Sequence, residues 1–191
     1  MRLNQNRGYQ EEELQLAGSL LVAHPSLLDS HFKRTVVLLT AHSAEEGSLG
    51  VIVNRPLHQT LGQYDTALAD SEFADVPLFE GGPVSNDQMI LVAWKWSNID
   101  ATFKLYFGID EGKAREILDD DPGFELRGFI GHSGWGEGQL EGEIEVDSWV
   151  VSPLSPDLEE KEGLAVWRSI LGQQGPEMRL LAEEPEDLSL N

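Results

Sequence analysis

Residues 35–54 open with Thr35-Val36-Val37-Leu38-Leu39-Thr40 and close with Leu49-Gly50-Val51-Ile52-Val53-Asn54, with Glu46-Gly47-Ser48 between them. Both runs are short, apolar and rich in β-branched residues, and turn residues bound them, as they do in buried strands. A glycine flanked by polar residues supplies the turn, so the two runs form a hairpin. The hairpin decides the fold class. Strands joined by links this short cannot be parallel neighbours with crossover helices, so the sheet is mixed and not doubly wound.

Reading outward, residues 16–23 give another buried strand, and Leu61, Tyr64 and Leu68 share one face of an amphipathic helix expected within residues 57–75. Residues 76–79, 88–94 and 102–107 read as strands, residues 111–118 as a helix and residues 124–131 as a strand. Gly134-Trp135-Gly136 is expected to lead into a helix carrying Leu140 and Ile144, followed by a strand over residues 148–151. A continuous helix is expected over residues 157–171, with Leu164, Trp167, Ile170 and Leu171 on one side, and then an irregular acidic tail. Residues 1–13 lack apolar periodicity and read as a flexible N-terminal segment. Nothing divides residues 14–191, so the expectation is one α/β domain with a mixed sheet flanked by helices.

The chain has 191 residues, 40% of them apolar and 25% charged, an ordinary globular balance. Its 34 acidic residues outweigh 13 lysines and arginines, for a net charge of −21. Such a field repels phosphate backbones and anionic lipid headgroups, so the expectation is no direct nucleic-acid binding and no membrane binding. The excess is uneven: residues 110–191 hold 21 acids and 6 bases, whereas residues 16–55 hold three of each. With no cysteine, the chain has no disulfide, thiol nucleophile or zinc ribbon. No apolar run reaches the roughly 18 residues of a membrane span, and no signal-peptide layout opens the chain. A cytosolic location is expected.

Five ordered segments are too specific for generic core. They are Gly18-Ser19-Leu20-Leu21-Val22-Ala23-His24-Pro25, Asp29-Ser30-His31-Phe32-Lys33-Arg34-Thr35-Val36-Val37, Gly50-Val51-Ile52-Val53-Asn54-Arg55-Pro56-Leu57, Phe79-Glu80-Gly81-Gly82-Pro83-Val84, and the run from Gly131-His132-Ser133-Gly134-Trp135 to Glu141. Together they resemble the YqgE/AlgH family of bacterial proteins, from about Leu14 to Asn191. The resemblance implies a compact α/β domain with a bent, barrel-like mixed sheet and no established biochemical activity; some members are labelled transcriptional regulators. Two local departures are Ser30, where many relatives carry proline, and Gly163-Leu164-Ala165 before the last long helix.

The residues that could carry chemistry are His24, Asn54, Arg55, Glu80, Gly81, Gly82, Ser133 and Trp135. Arg55 ends an apolar strand with a guanidinium that could fork onto a carboxylate or phosphate, or simply pair with Glu80. Gly81 and Gly82 could offer backbone amides to an anion, or form a plain turn. The Gly131–Trp135 segment fails as a nucleophile elbow because Trp135 replaces the last glycine and no histidine follows His132. A convergent use of His24, His31 or His42 stays open. No dinucleotide or phosphate-loop fingerprint occurs, and the five histidines lack metal-ligand spacing. No cofactor and no metal are expected.

Three roles follow. The first is a regulatory protein acting through protein contacts, the second a domain binding a small molecule or anion at a cleft around Arg55 and the Gly81-Gly82 turn, the third an enzyme without a recognisable motif. A direct DNA-binding regulator would need a basic stripe, which the chain lacks. Oligomeric state and partner identity are left open.

Overall fold

The computed structural model describes residues 16–183 apart from 44, 98, 100 and 101. The expected flexible segment over residues 1–13 and the end of the acidic tail lie outside the described residues. Nine strands and six short helices alternate along this region. The strands are β1 (Leu20–Ala23), β2 (Val36–Ser43), β3 (Gly47–Ile52), β4 (Pro56–Thr60), β5 (Pro77–Glu80), β6 (Val84–Ser97), β7 (Thr102–Phe107), β8 (Glu125–Trp135) and β9 (Trp149–Ser152). The helices are α1 (Leu61–Tyr64), α2 (Glu111–Asp120), α3 (Gln139–Glu145), α4 (Asp157–Glu160), α5 (Leu164–Gly172) and α6 (Pro176–Glu183).

The strands form one mixed sheet in the order β4-β5-β8-β3-β2-β1-β9, with β6 and β7 joined to it through β8, and it curls into a half-barrel. The expected hairpin is β2–β3, with Ser43 opposite Gly47. All pairings are antiparallel except β5 with β8, where Glu80 lies opposite Ile130. Strand β8 holds the sheet together. Its first half pairs with β5 and β6, and residues 133–135 pair with β3. Gly131 sits between the halves at φ +71°, a left-handed conformation that a side chain would strain.

Two large cores lie on opposite faces. Trp94, Phe129 and Val92 pack with Trp167, Ile170 and Leu171 of α5. Leu21, Val37, Ile52, Trp135 and Trp149 pack with Leu140 of α3. A third cluster joins Leu61, Phe73 and Leu78 to Ala114 of α2. No helix among the described residues is long and apolar enough to cross a membrane.

Four expectations are corrected. Residues 57–75 do not form one amphipathic helix: Pro56–Thr60 is strand β4, α1 is a single turn, and Thr66–Leu68 is a short 3-10 turn. Local polar groups break the run, since the Asp65 carboxylate accepts the Ala67 amide and restarts the chain there. Residues 157–171 split into α4 and α5 because Gly163 takes φ +57°. Residues 176–183 are helical and not irregular, with Pro176 in the first turn, where its missing N–H costs no helical bond. The strand expected over residues 124–131 runs on through Trp135, so Gly134 and Trp135 belong to β8 and not to a lead-in turn.

Candidate functional site

Strand β3 ends at Ile52, and the chain delivers Asn54, Arg55 and then β4 beside β5. Asn54 is buried, and its amide is fully committed to the fold. Its Oδ1 accepts the Val36 amide at 2.8 Å, while Nδ2 donates to the carbonyls of Arg34 at 3.0 Å and Gly163 at 3.3 Å. This clasp ties β2 to the start of α5, and it leaves Asn54 a structural residue.

Arg55 faces Glu80. Nη1 lies 3.3 Å from Glu80 Oε1, and Nη2 donates to the Lys33 carbonyl at 3.4 Å. Side-chain exposures of 25% for Arg55 and 42% for Glu80 make this a solvent-screened pair and not a buried one.

Gly81 and Gly82 serve a close backbone crossing. The Gly81 amide donates to the Ile130 carbonyl at 2.8 Å, and its own carbonyl accepts from the Ile52 amide and from Ser133 Oγ at 3.2 Å. A Cβ on Gly81 would overlap the Gly131 carbonyl, and one on Gly82 would overlap the His132 carbonyl and Ser133 Oγ. The Gly81 amide is therefore occupied by sheet bonding and does not form an anion cradle.

Ser133 is fully buried and spends its hydroxyl on that Gly81 carbonyl, so it is no nucleophile. His24 lies elsewhere, its Nδ1 2.7 Å from Ser26 Oγ. His42 reaches Ser48 Oγ at 2.8 Å and Glu141 at 3.6 Å, which fastens the β2–β3 hairpin to α3. Trp135 stacks on Phe32 and donates Nε1 to Glu143 at 2.9 Å. The residues named from the sequence thus separate into an Arg55–Glu80 pair, a Gly81–Gly82–Ser133 crossing, the Asn54 clasp, an outlying His24 and a Trp135 aromatic cluster.

Beside the Arg55–Glu80 pair is a shallow dish of about 290 Å³, lined by His31, Leu57, Glu80, Gly82, Pro83, Asn86 and Ile130. It lies where β5 ends at Glu80 beside Ile130, halfway along β8. The backbone around it is strained. His58, next to Leu57, has φ +53°, and Ser85, next to Asn86, has φ +49°. Left-handed non-glycine residues cost roughly 1–3 kcal/mol each and gather at functional sites. Sequence reasoning missed Leu57, Pro83, Asn86 and Ile130 as lining residues; only their nearness to the Asn54-Arg55-Pro56 and Gly81-Gly82-Pro83 segments pointed there. Among the described residues no group of three or more His, Asp or Glu side chains could hold a metal ion.

Comparison with known proteins agrees with this architecture. A family model described as AlgH-like matches residues 20–179. A UPF0301 protein of Chlorobium limicola is 35% identical over 182 residues, covering 91% of this chain and 95% of the relative. A UPF0301 protein of Streptomyces coelicolor is 37% identical over 189 residues, covering 92% and 95%. Among solved structures, a crystal structure of a Corynebacterium diphtheriae protein matches with a TM-score of 0.68 at 25% identity, covering 88% of this chain and 92% of the other. The solution structure of the AlgH protein from Pseudomonas aeruginosa matches with a TM-score of 0.64 at 22% identity, covering 93% and 98%.

Proposed function

The chain belongs to the AlgH-like family, and from that premise we propose that it is a regulatory binding protein that acts through protein contacts and not by gripping DNA. The observation that carries this reading is the dish beside the Arg55–Glu80 pair. Leu57, Pro83 and Ile130 give it an apolar lining, and His31, Glu80 and Asn86 add an imidazole, a carboxylate and a primary amide. An open recess of this size accommodates one anchoring side chain from a partner surface, the way interface hot spots are seated.

Arg55 sets the orientation of Glu80 without entering the dish, so the carboxylate keeps its second oxygen for a hydrogen-bond donor brought by the partner. The anion-binding alternative has weaker support, because both terminal nitrogens of Arg55 face internal acceptors. A net charge of −21 argues for a protein partner over duplex DNA. The test is site-specific photo-crosslinking in living cells. A crosslinking residue at exposed Leu57 on the rim yields a discrete protein adduct, whereas one at exposed Leu180 on α6 does not. Equal adducts from both positions, or none from Leu57, contradict the reading.

A further inference from the structure

At the other end of β5 the chain builds a second, larger recess. A groove of about 490 Å³ lies at the amino-terminal ends of the paired strands β5 and β8, away from the dish at Glu80 and Ile130. Its apolar lining is Val76, Pro77 and Phe79, at and just before β5, with Leu126 of β8. Five carboxylates surround it: Glu72, Asp75, Glu125, Glu159 and Glu162. They come from three separate regions of the chain, so the concentration of charge is a product of folding and not one solvated helix face.

We propose that this groove is the docking site for a basic, amphipathic peptide segment of a partner protein, one that alternates lysine or arginine with an apolar residue. The argument is charge complementarity beside an apolar lining. The five carboxylates outnumber the two guanidiniums beside them, that of Arg115, which pairs with Glu72, and that of Arg127, which is built into the fold. The latter lies 4.0 Å above the Trp94 ring and 5.0 Å from that of Phe79, donates to the Leu158 carbonyl at 3.1 Å and is 3.5 Å from Glu125. Arg127 is attracted by Glu125, Glu159 and Glu162 and offsets part of their charge, and the rim stays net negative.

The spacing of the acids selects the ligand class. Among the described residues no three of them group closely enough to hold one metal ion, so the charge is spread along the groove. Glu159 is fixed by the Trp96 amide at 2.6 Å and Glu72 by Arg115, while Asp75 and Glu162 stand exposed on opposite sides of the sequence. A fixed acid with an apolar neighbour suits a peptide that places alternate side chains down and outward, as extended segments do.

The experiment titrates the full chain with a twelve-residue peptide of alternating lysine and leucine, followed by amide chemical shifts. Binding is expected to map to β5 and the start of β8, and to weaken as salt rises. The double variant Asp75→Asn/Glu162→Gln, which removes two charges from exposed side chains, is expected to weaken binding about tenfold, equivalent to 1.4 kcal/mol. The control Glu137→Gln/Glu177→Gln removes the same charge elsewhere and is expected to change it less than about twofold. Equal loss in both variants, or no binding at all, overturns the proposal. So does spermine, or a lysine and serine peptide, binding as tightly as the lysine and leucine one, since charge alone would then account for the contact.

Discussion

Arg55 Nη1 lies 3.3 Å from Glu80 Oε1, and the pair joins the loop before β4 to the end of β5 at the edge of the dish. Because both side chains keep water contact, the pair contributes little to stability and much to geometry. Arg55→Ala is expected to cost about 0.5–1 kcal/mol, as screened pairs do. Arg55→Lys keeps the charge but loses the planar fork, so it should leave the melting temperature nearly unchanged while releasing Glu80. A loss of several kcal/mol in chemical denaturation would mean that the pair is buried and structural.

Trp167 is fully buried in the larger core and donates Nε1 to the Ala23 carbonyl at 2.7 Å, with the Arg34 guanidinium 5.5 Å from its ring. Trp167→Ala opens a cavity and removes that donor. A loss of about 3–5 kcal/mol is expected in urea unfolding. An unchanged midpoint would mean that α5 does not pack on the sheet as described.

Gly82 and Gly138 both have positive φ, at +146° and +65°, yet only Gly82 faces a crossing backbone. Gly138 has nothing within 4 Å of a built Cβ. Gly82→Ala is therefore expected to destabilise by about 3 kcal/mol or more, through overpacking added to strain, and Gly138→Ala by about 1 kcal/mol. Equal losses in thermal melts would show that Gly82 does not cross against the His132 backbone.

Burial of the Asp157 carboxyl works to raise its pKa, but hydrogen bonds from Lys161, Ser169 and Ser155 outweigh burial and hold it below 3.8. Gln173 Nε2 also donates to it, at 2.9 Å. A depressed folded-state value means that the stabilisation is present above the unfolded pKa and is lost as pH falls through the folded one. Asp157→Asn should therefore lower the melting temperature at pH 7 and have a shrinking effect below about pH 4. A difference that stays constant from pH 7 to pH 2 would show that the carboxylate charge plays no part.

The hairpin, the mixed sheet and the burial of Trp167 were legible because hydrophobic period and turn glycines are local signals. The Arg55–Glu80 contact was legible as a complementary pair, but its exposure was not. Residues 57–75 misled because Leu61, Tyr64 and Leu68 keep helical spacing while Asp65 and Gly62 divert the backbone: the Asp65 carboxylate caps a new turn, and a Cβ on Gly62 would press on Ala69 and Ala74. Gly81, Gly82 and Ser133 looked like site residues because glycine and serine mark both anion cradles and tight crossings. Only the fold shows that Ser133 Oγ is given to Gly81. Asn86 was missed because a left-handed Ser85 turns it toward the dish, and nothing in the residue types announces that conformation.

A dish that seats a side chain of a protein partner loses that partner when it is filled. Asn86 is exposed on the rim, so Asn86→Trp should fill the recess and leave the thermal melt within about 2 °C of the parent, as surface substitutions do. The measurement is the yield of the protein adduct crosslinked from position 57 in cells carrying that substitution. The adduct is expected to disappear while the protein stays folded and abundant; an undiminished adduct in the blocked protein would mean that the dish is not where the partner docks.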